Sequence, residues 1–240
     1  MKIFTKMAEK KQKKENNNGN KTGSAKAGVK KRKVSKERKL EKELMYIIGF
    51  IVLLVIIFMT ASAFFKSLNT IDYEGLTFTK GRVGNLVLYH HYYYYKSKNG
   101  NLVQYNLYLR NDPRYNNVSV EGDKVLFNKN VESYLSVDSL NLEVCPYSIL
   151  GVGNLAGFLT QNEVIINGGN LDPDAANVTG QEYVTCANHS NRKVIELKEG
   201  DETGIKINGN CYEIIVNNCD VMQAIERFQI QTILDNKDRW

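Results

Sequence analysis

The longest apolar stretch of the chain runs from Leu44 to Phe65 and contains no charged side chain. A helix rises ~1.5 Å per residue, so these 22 residues match a hydrocarbon core of roughly 30 Å. We therefore predict one transmembrane helix over residues 44–65. A cleaved signal peptide is the competing interpretation, because Thr60–Ala63 are small residues, but the stretch is longer and begins later than the apolar region of a signal peptide.

Alternating apolar and polar positions dominate the segment that follows. Leu86–Tyr95 and Asn101–Leu109 are rich in Tyr, Leu and Val, and they flank Asn99-Gly100. Asn-Gly between two such runs predicts a β-hairpin with a type I′ turn, in which both turn residues have positive φ. In the second strand Leu102, Gln104, Asn106 and Tyr108 share one face. The opposite face carries no amide side chain and is the expected core face: Val103, Tyr105, Leu107 and Leu109.

The remaining pattern predicts short strands, with a helix in the middle and another at the end of the chain. Predicted strands are Lys124–Phe127, Leu140–Val144, Glu163–Asn167, Tyr183–Cys186, Val194–Leu197, Gly204–Asn208 and Cys211–Val216. Predicted helices are Leu150–Gln161 and a C-terminal helix capped by the Asp220 side chain. We therefore expect an α+β fold, with a mostly antiparallel sheet covered on one face by the C-terminal helix.

Charge is distributed unequally about the apolar stretch. Residues 1–43 carry 16 Lys/Arg and 5 Asp/Glu, whereas residues 66–240 carry 16 and 21. Basic residues beside a span stay in the cytoplasm. We therefore expect a single-pass, type II protein of the cell membrane, with its N-terminus cytoplasmic and residues 76–240 forming an external domain after a linker over residues 66–75.

The basic tail, residues 1–43, has two parts. Residues 1–28 are rich in Lys, Asn and Gly and are expected to be disordered, whereas Val29–Glu43 consists of good helix formers that should continue into the span. Anionic lipid headgroups are the expected partner of the tail. Nucleic acid is not expected, because topology explains the charges and no aromatic residue is interleaved among them.

All four cysteines, Cys145, Cys186, Cys211 and Cys219, lie on the external side of the apolar stretch. An even number of cysteines in an oxidising compartment predicts two disulfides. A strand over Cys211–Val216 separates Cys211 from Cys219 by more than a bridge allows. Cys186 is therefore expected to pair with Cys211 or Cys219, and Cys145 with the other.

The segment Tyr183-Val184-Thr185-Cys186, followed by Arg192, resembles the Thr-Cys to Arg stretch of sortases, which are also anchored by an N-terminal span. The resemblance covers about ten residues. It implies a transpeptidase or hydrolase in which the Cys186 thiolate attacks a peptide carbonyl, His90 or His91 serves as acid, and Arg192 stabilises the oxyanion. This is the enzymatic alternative.

Metal or cofactor binding is not expected. Cys186 and His189 form one Cys-x-x-His pair without a second pair of ligands. The tyrosine-rich run from His90 to Tyr95 has aromatic residues on both faces. It is interpreted either as a platform for a sugar or a protein partner, or as a strand with one face in the core and the other at the rim.

The order of basic tail, span and external β-rich domain is similar in plan to bacterial division proteins of the DivIB kind. We expect a non-enzymatic binding or structural component of the cell envelope. Its expected partners are the lipid bilayer and an envelope protein or glycan of unknown identity.

Overall fold

The computed structural model describes residues 29–237 except Val144, and for residues 29–38 it describes the backbone alone. The disorder expected for residues 1–28 lies outside the described residues. Among the described residues, the chain divides into two compact units with the boundary between Ser62 and Ala63.

The first described element is one continuous helix, α1 (Val29–Leu68), as predicted from Val29 onward. Its segment Lys39–Leu68 is long and apolar enough to cross a membrane, and its most apolar window contains no buried residue. The expected linker, residues 66–75, is instead folded: it contains the last turn of α1 and a strand, Thr70–Tyr73. The backbone bonds of this strand, made to the strand that follows, explain the difference.

A four-stranded antiparallel sheet follows, in which each strand pairs with its neighbour in sequence. Its strands are β1 (Thr70–Tyr73), β2 (Leu76–Val83), β3 (Leu86–Lys96) and β4 (Leu102–Leu109). The predicted hairpin is therefore confirmed. On β4, Tyr105, Leu107 and Leu109 are buried and Val103 is half-buried, so the predicted core face is confirmed as well.

The turn between β3 and β4 differs from the predicted type I′. Gly100 has φ +79°, whereas Asn99 keeps a negative φ. The Gly100 N–H donates to the Ser97 carbonyl at 2.8 Å, and the Ser97 N–H donates to the Asn101 carbonyl at 2.8 Å. A three-residue loop with one left-handed glycine satisfies these bonds, so only the glycine needs positive φ.

The second sheet has seven strands, in the spatial order β5-β10-β11-β9-β6-β7-β8. These are β5 (Ser119–Gly122), β6 (Glu132–Val137), β7 (Ile165–Asn170), β8 (Glu182–Tyr183), β9 (Lys193–Glu199), β10 (Gly204–Asn208) and β11 (Cys211–Val216). Five of its six described pairings are parallel. The α+β class with an antiparallel sheet is confirmed, but the expectation of mostly antiparallel pairing fails in this sheet.

Helical crossovers account for the parallel pairing. Helix α2 (Ser148–Gln161) connects β6 to β7, and the short α3 (Pro173–Thr179) connects β7 to β8. A connection of this kind returns the chain to the same end of the sheet, so the next strand runs parallel to the last.

Two predicted strands are absent from their expected positions. Residues 124–127 run as an irregular segment, in which the Val125 N–H donates to Asp235 at 2.8 Å and the Leu126 N–H to the Tyr212 hydroxyl at 3.0 Å. The described part of Leu140–Val144 is turn and bend, closed by the Asn141 N–H donating to Asp138 at 3.1 Å. Side chains, rather than a neighbouring strand, satisfy these backbone groups.

The C-terminal helix, α4 (Val221–Asn236), lies between the two sheets rather than outside one of them. Its Phe228 ring lies 6.0 Å from the ring of Tyr212 on β11, while Glu226 bonds to the end of β4. Helix α2 lies in the same layer, with Phe158 5.6 Å from Tyr105 of β4. Because α4 contacts both sheets, its buried residues lie on several faces of the helix.

The predicted cap of α4 is not formed by a side-chain bond to the helix. Asp220 occupies the N-cap position, but its carboxylate accepts a hydrogen bond from the Thr203 hydroxyl at 3.1 Å. The Ala224 N–H donates to the Asp220 carbonyl.

Candidate binding surface

The two faces of the β3–β4 hairpin have different environments, because successive side chains of a strand point to opposite faces. Odd-numbered residues face the helical layer: Tyr89, Tyr95, Tyr105, Leu107 and Leu109 are buried. The opposite face carries a set of side chains that we call the tyrosine surface: His90, Tyr92, Tyr94, Gln104, Asn106 and Tyr108. The rings of Tyr92, Tyr94 and Tyr108 are each about half exposed.

The aromatic rings of the tyrosine surface contact one another in a row. His90 stacks on Tyr108 with ring centroids 4.7 Å apart and on Tyr92 at 6.0 Å. Tyr94 lies 6.0 Å from Tyr92 in an edge-on arrangement. Rings stacked face to face turn their edges outward, so the surface presents ring edges and phenol groups rather than broad ring faces.

Amide side chains beside the row complete a hydrogen-bonded array. Asn106 Oδ1 accepts from Gln104 Nε2 at 2.9 Å and lies 3.0 Å from His90 Nε2. The Tyr94 hydroxyl donates to Gln104 Oε1 at 3.1 Å. Each side chain is therefore held by a neighbour, which reduces the entropy lost when a partner binds.

The opposite face of the hairpin anchors this surface to the helical layer. The Tyr93 hydroxyl donates to Asn162 Oδ1 at 2.7 Å, and the Tyr95 hydroxyl donates to the Gln161 carbonyl at 2.5 Å. Burial raises the pKa of the Tyr105 phenol to about 12 and raises that of Tyr93 as well. These phenols stay neutral at physiological pH. The hydrogen bonds hold β3, through the face opposite the tyrosine surface, to the C-terminal end of α2.

Glu226 of α4 fixes the far end of β4. Its buried carboxylate accepts hydrogen bonds from the Arg110 N–H at 2.5 Å, the Asn111 N–H at 3.1 Å and Asn111 Nδ2 at 2.8 Å. Burial raises the pKa of this carboxyl, and the three hydrogen bonds lower it in part. No local pattern predicts this contact, because Glu226 and Asn111 are 115 residues apart in the chain.

All four cysteines are paired. Cys145 bonds to Cys219 with Cα atoms 5.5 Å apart, and Cys186 bonds to Cys211 at 5.3 Å. Both bridges agree with the predicted pairing. The Cys186 N–H also donates to the buried Glu196 carboxylate at 2.7 Å.

The residues of the sortase-like alternative have separate environments. The Cys186 sulfur is bonded to Cys211, so it offers no thiolate. Arg192 lines the same surface depression as Cys186 but forms an ion pair with Glu132 at 3.4 Å. His91 lies on β3 of the other sheet, with Nδ1 2.9 Å from the Thr77 carbonyl. The oxidised protein therefore lacks the nucleophile that this alternative needs.

Groups of potential metal ligands in the described residues also depend on the bridges. Glu143 lies beside the Cys145–Cys219 bridge, and Glu196 beside the Cys186–Cys211 bridge. A cysteine binds metal as a thiolate, so either group becomes a ligand set only after reduction of its bridge.

The chain matches no known family model, no curated protein and no solved structure. The tyrosine surface therefore has to be interpreted from its own chemistry. Sequence reasoning identified the aromatic run of β3 and assigned Gln104, Asn106 and Tyr108 to the non-core face of β4. Only the pairing of β3 with β4 shows that these side chains form one surface.

Proposed function

We propose that this protein is a single-span membrane protein whose external domain binds another envelope protein through the tyrosine surface. The span is the apolar part of α1, and the basic tail lies in the cytoplasm. Three features support this topology: the length of the apolar helix, the excess of basic residues before it, and two disulfides in the domain after it.

The tyrosine surface is the observation that carries the binding role. Tyrosine is enriched in protein interfaces because it supplies a large apolar area and a hydrogen-bonding hydroxyl at low entropic cost. Tyr92, Tyr94 and Tyr108 are exposed on strands whose opposite face is anchored. Outward ring edges and amides suit a protein partner better than the flat face of a sugar ring, so a glycan is the second candidate.

Photocross-linking in intact cells tests the binding role. Benzoylphenylalanine is placed at Tyr108 in one variant and at Val178 of α3 in the control, since Val178 is also highly exposed but lies outside the surface. We expect a discrete protein adduct at Tyr108 that decreases when Tyr92→Ala is added, and no such adduct at Val178. An adduct removed by cell-wall hydrolases would favour the glycan, and equal adducts at both positions would refute the role.

Protease protection tests the topology. Intact cells carrying an N-terminally tagged chain are treated with an external protease. We expect loss of the domain and survival of a tagged fragment that contains the tail and the span. Complete protection of the chain, followed by digestion after permeabilisation, would place the domain in the cytoplasm and refute the proposed orientation.

A further inference from the structure

A cleft opens beside β3 where β2 separates from it. The described pairing of β2 with β3 ends at Thr79↔His90, whereas β3 stays paired with β4 as far as Lys96. Residues 76–79 of β2 pair with β1 along the opposite edge of β2. Beyond residue 90, β3 therefore has a strand neighbour on only one side within the described part of the chain.

The hydrogen-bonding direction at the end of β3 shows which backbone groups face the cleft. The Ser97 N–H donates to the Asn101 carbonyl across the β4 hairpin. Backbone groups of successive residues in an antiparallel strand point to alternate sides. Odd-numbered residues of β3 therefore bond to β4, and the N–H and C=O groups of Tyr92 and Tyr94 point to the cleft, where no described strand covers them.

His91 supplies a second unpaired group. Its Nδ1 lies 2.9 Å from the Thr77 carbonyl, which only accepts, so Nδ1 carries the proton. Burial lowers the pKa of the imidazole, which leaves Nε2 as a hydrogen-bond acceptor. This Nε2 atom is buried and has no hydrogen-bond partner among the described residues. A buried acceptor without a partner is destabilising, so an incoming hydrogen-bond donor would be favoured there.

The cleft has a volume of about 580 Å³ and combines apolar and cationic walls. Leu76 and Ile233 contribute apolar surface, while Lys66 and Lys237 contribute ammonium groups. Neither lysine has a carboxylate within ion-pair distance in the described part of the chain. An extended segment with apolar residues on one face and acidic residues near its ends would complement these walls.

We propose that the cleft accepts an extended, acidic-ended segment of a partner polypeptide, which adds as a strand to the edge of β3. This inference rests on the proposed function, because it describes how the partner held by the tyrosine surface is bound. About five residues would span residues 91–95 of β3, since a strand rises ~3.3 Å per residue. The next carbonyl, that of Lys96, already accepts a hydrogen bond from Lys129 Nζ. Exposed edges are templates for such strand addition, and the backbone bonds supply affinity while side chains supply specificity.

A matched pair of variants at one position tests the backbone bonds. Tyr94→Pro and Tyr94→Ala both remove the ring, but only proline removes the N–H that points to the cleft. Proline is tolerated in an edge strand when its missing N–H faces away from the paired strand. The probe is the fluorescent peptide Asp-Val-Thr-Val-Thr-Val-Asp, and its affinity for the full chain in detergent micelles is measured by anisotropy.

We expect the proline variant to bind the peptide about fivefold to tenfold more weakly than the alanine variant, which lacks the same ring but keeps the N–H. Equal affinities of the two variants, or no binding of the peptide to the wild type, would overturn the proposal. A peptide with lysine in place of both aspartates should bind more weakly; equal or tighter binding would also overturn it.

A second measurement leaves the protein unchanged and so does not depend on folding of the proline variant. Two peptides carry N-methyl groups at alternate residues. The peptide methylated at the N–H groups that face β3 should lose binding, and the peptide methylated at the N–H groups that face away should retain it. Only alternate N–H groups of the peptide bond to the edge of β3. Equal affinity of both sets would overturn strand addition. Absence of the cross-link at position 108 in cells, with peptide binding by the wild-type chain intact, identifies failure of the proposed function alone. The cross-link present with no peptide binding identifies failure of strand addition alone.

Discussion

Removal of each disulfide separately has a predicted order of effects. The Cys145–Cys219 bridge links residues 74 apart, and the Cys186–Cys211 bridge links residues 25 apart. A bridge stabilises mainly by restricting the unfolded chain, and the restriction increases with the logarithm of loop length. Loop entropy gives about 4.5 kcal/mol for the longer loop and about 3.5 kcal/mol for the shorter one.

The two double variants, with both cysteines of one bridge changed to alanine, should therefore differ by about 1 kcal/mol. This difference corresponds to a melting temperature about 2–4 °C lower for the variant without the Cys145–Cys219 bridge than for the variant without the Cys186–Cys211 bridge. Near-UV circular dichroism of the buried tyrosines follows unfolding of the full chain in detergent. Each variant replaces two cysteines, so the chemical change is matched.

Equal melting temperatures, or a larger loss from the shorter loop, would contradict the loop-entropy reasoning. Alkylation of the native wild-type chain without reduction provides the control for pairing. We expect no labelled cysteine before reduction and four after reduction in denaturant. Labelling of Cys186 before reduction would contradict the bonded arrangement and restore the thiol-dependent alternative.

Three further predictions concern the stability contributed by individual side chains. Burial raises the folded-state pKa of Glu226, so the wild-type free energy of unfolding falls as pH rises from the unfolded-state pKa of about 4.3 through the folded-state pKa. Glu226→Gln lacks this pH dependence, so urea titrations from pH 4 to pH 7 should show the difference in unfolding free energy between variant and wild type becoming smaller. A difference that becomes larger would refute the assignment. Tyr105→Ala should cost about 3 kcal/mol or more, because Tyr105 is buried, whereas Tyr108→Ala should change stability by about 0.5 kcal/mol or less; similar losses in urea unfolding would contradict the assignment of the two faces. Arg192→Ala removes an exposed ion pair and should change stability by about 1 kcal/mol or less; a larger loss of unfolding free energy would show a structural role for Arg192.

Local pattern was sufficient where an element's own residues determine its conformation. The β3–β4 hairpin, α2, β10 and β11 follow alternation, helical periodicity or Asn-Gly turns that lie within a few residues of one another. The strand β6 was missed because two of its buried residues, Ser133 and Ser136, are polar and mask the pattern. Leu140–Val144 alternates like a strand in sequence, but no strand of the described structure pairs with its residues 140–143.

The sequence by itself determined the apolar helix, the charge asymmetry and the core face of β4. It also limited the cysteine pairing to two bridges and excluded a bridge between Cys211 and Cys219. These properties depend on composition and short-range spacing. The tertiary structure alone decided the parallel order of the second sheet, the position of α4 between two sheets, the contact of Glu226 with β4 and the separation of β2 from β3. Each of these depends on which distant segments become neighbours, and the period of a strand or helix specifies its buried face without specifying what lies against that face.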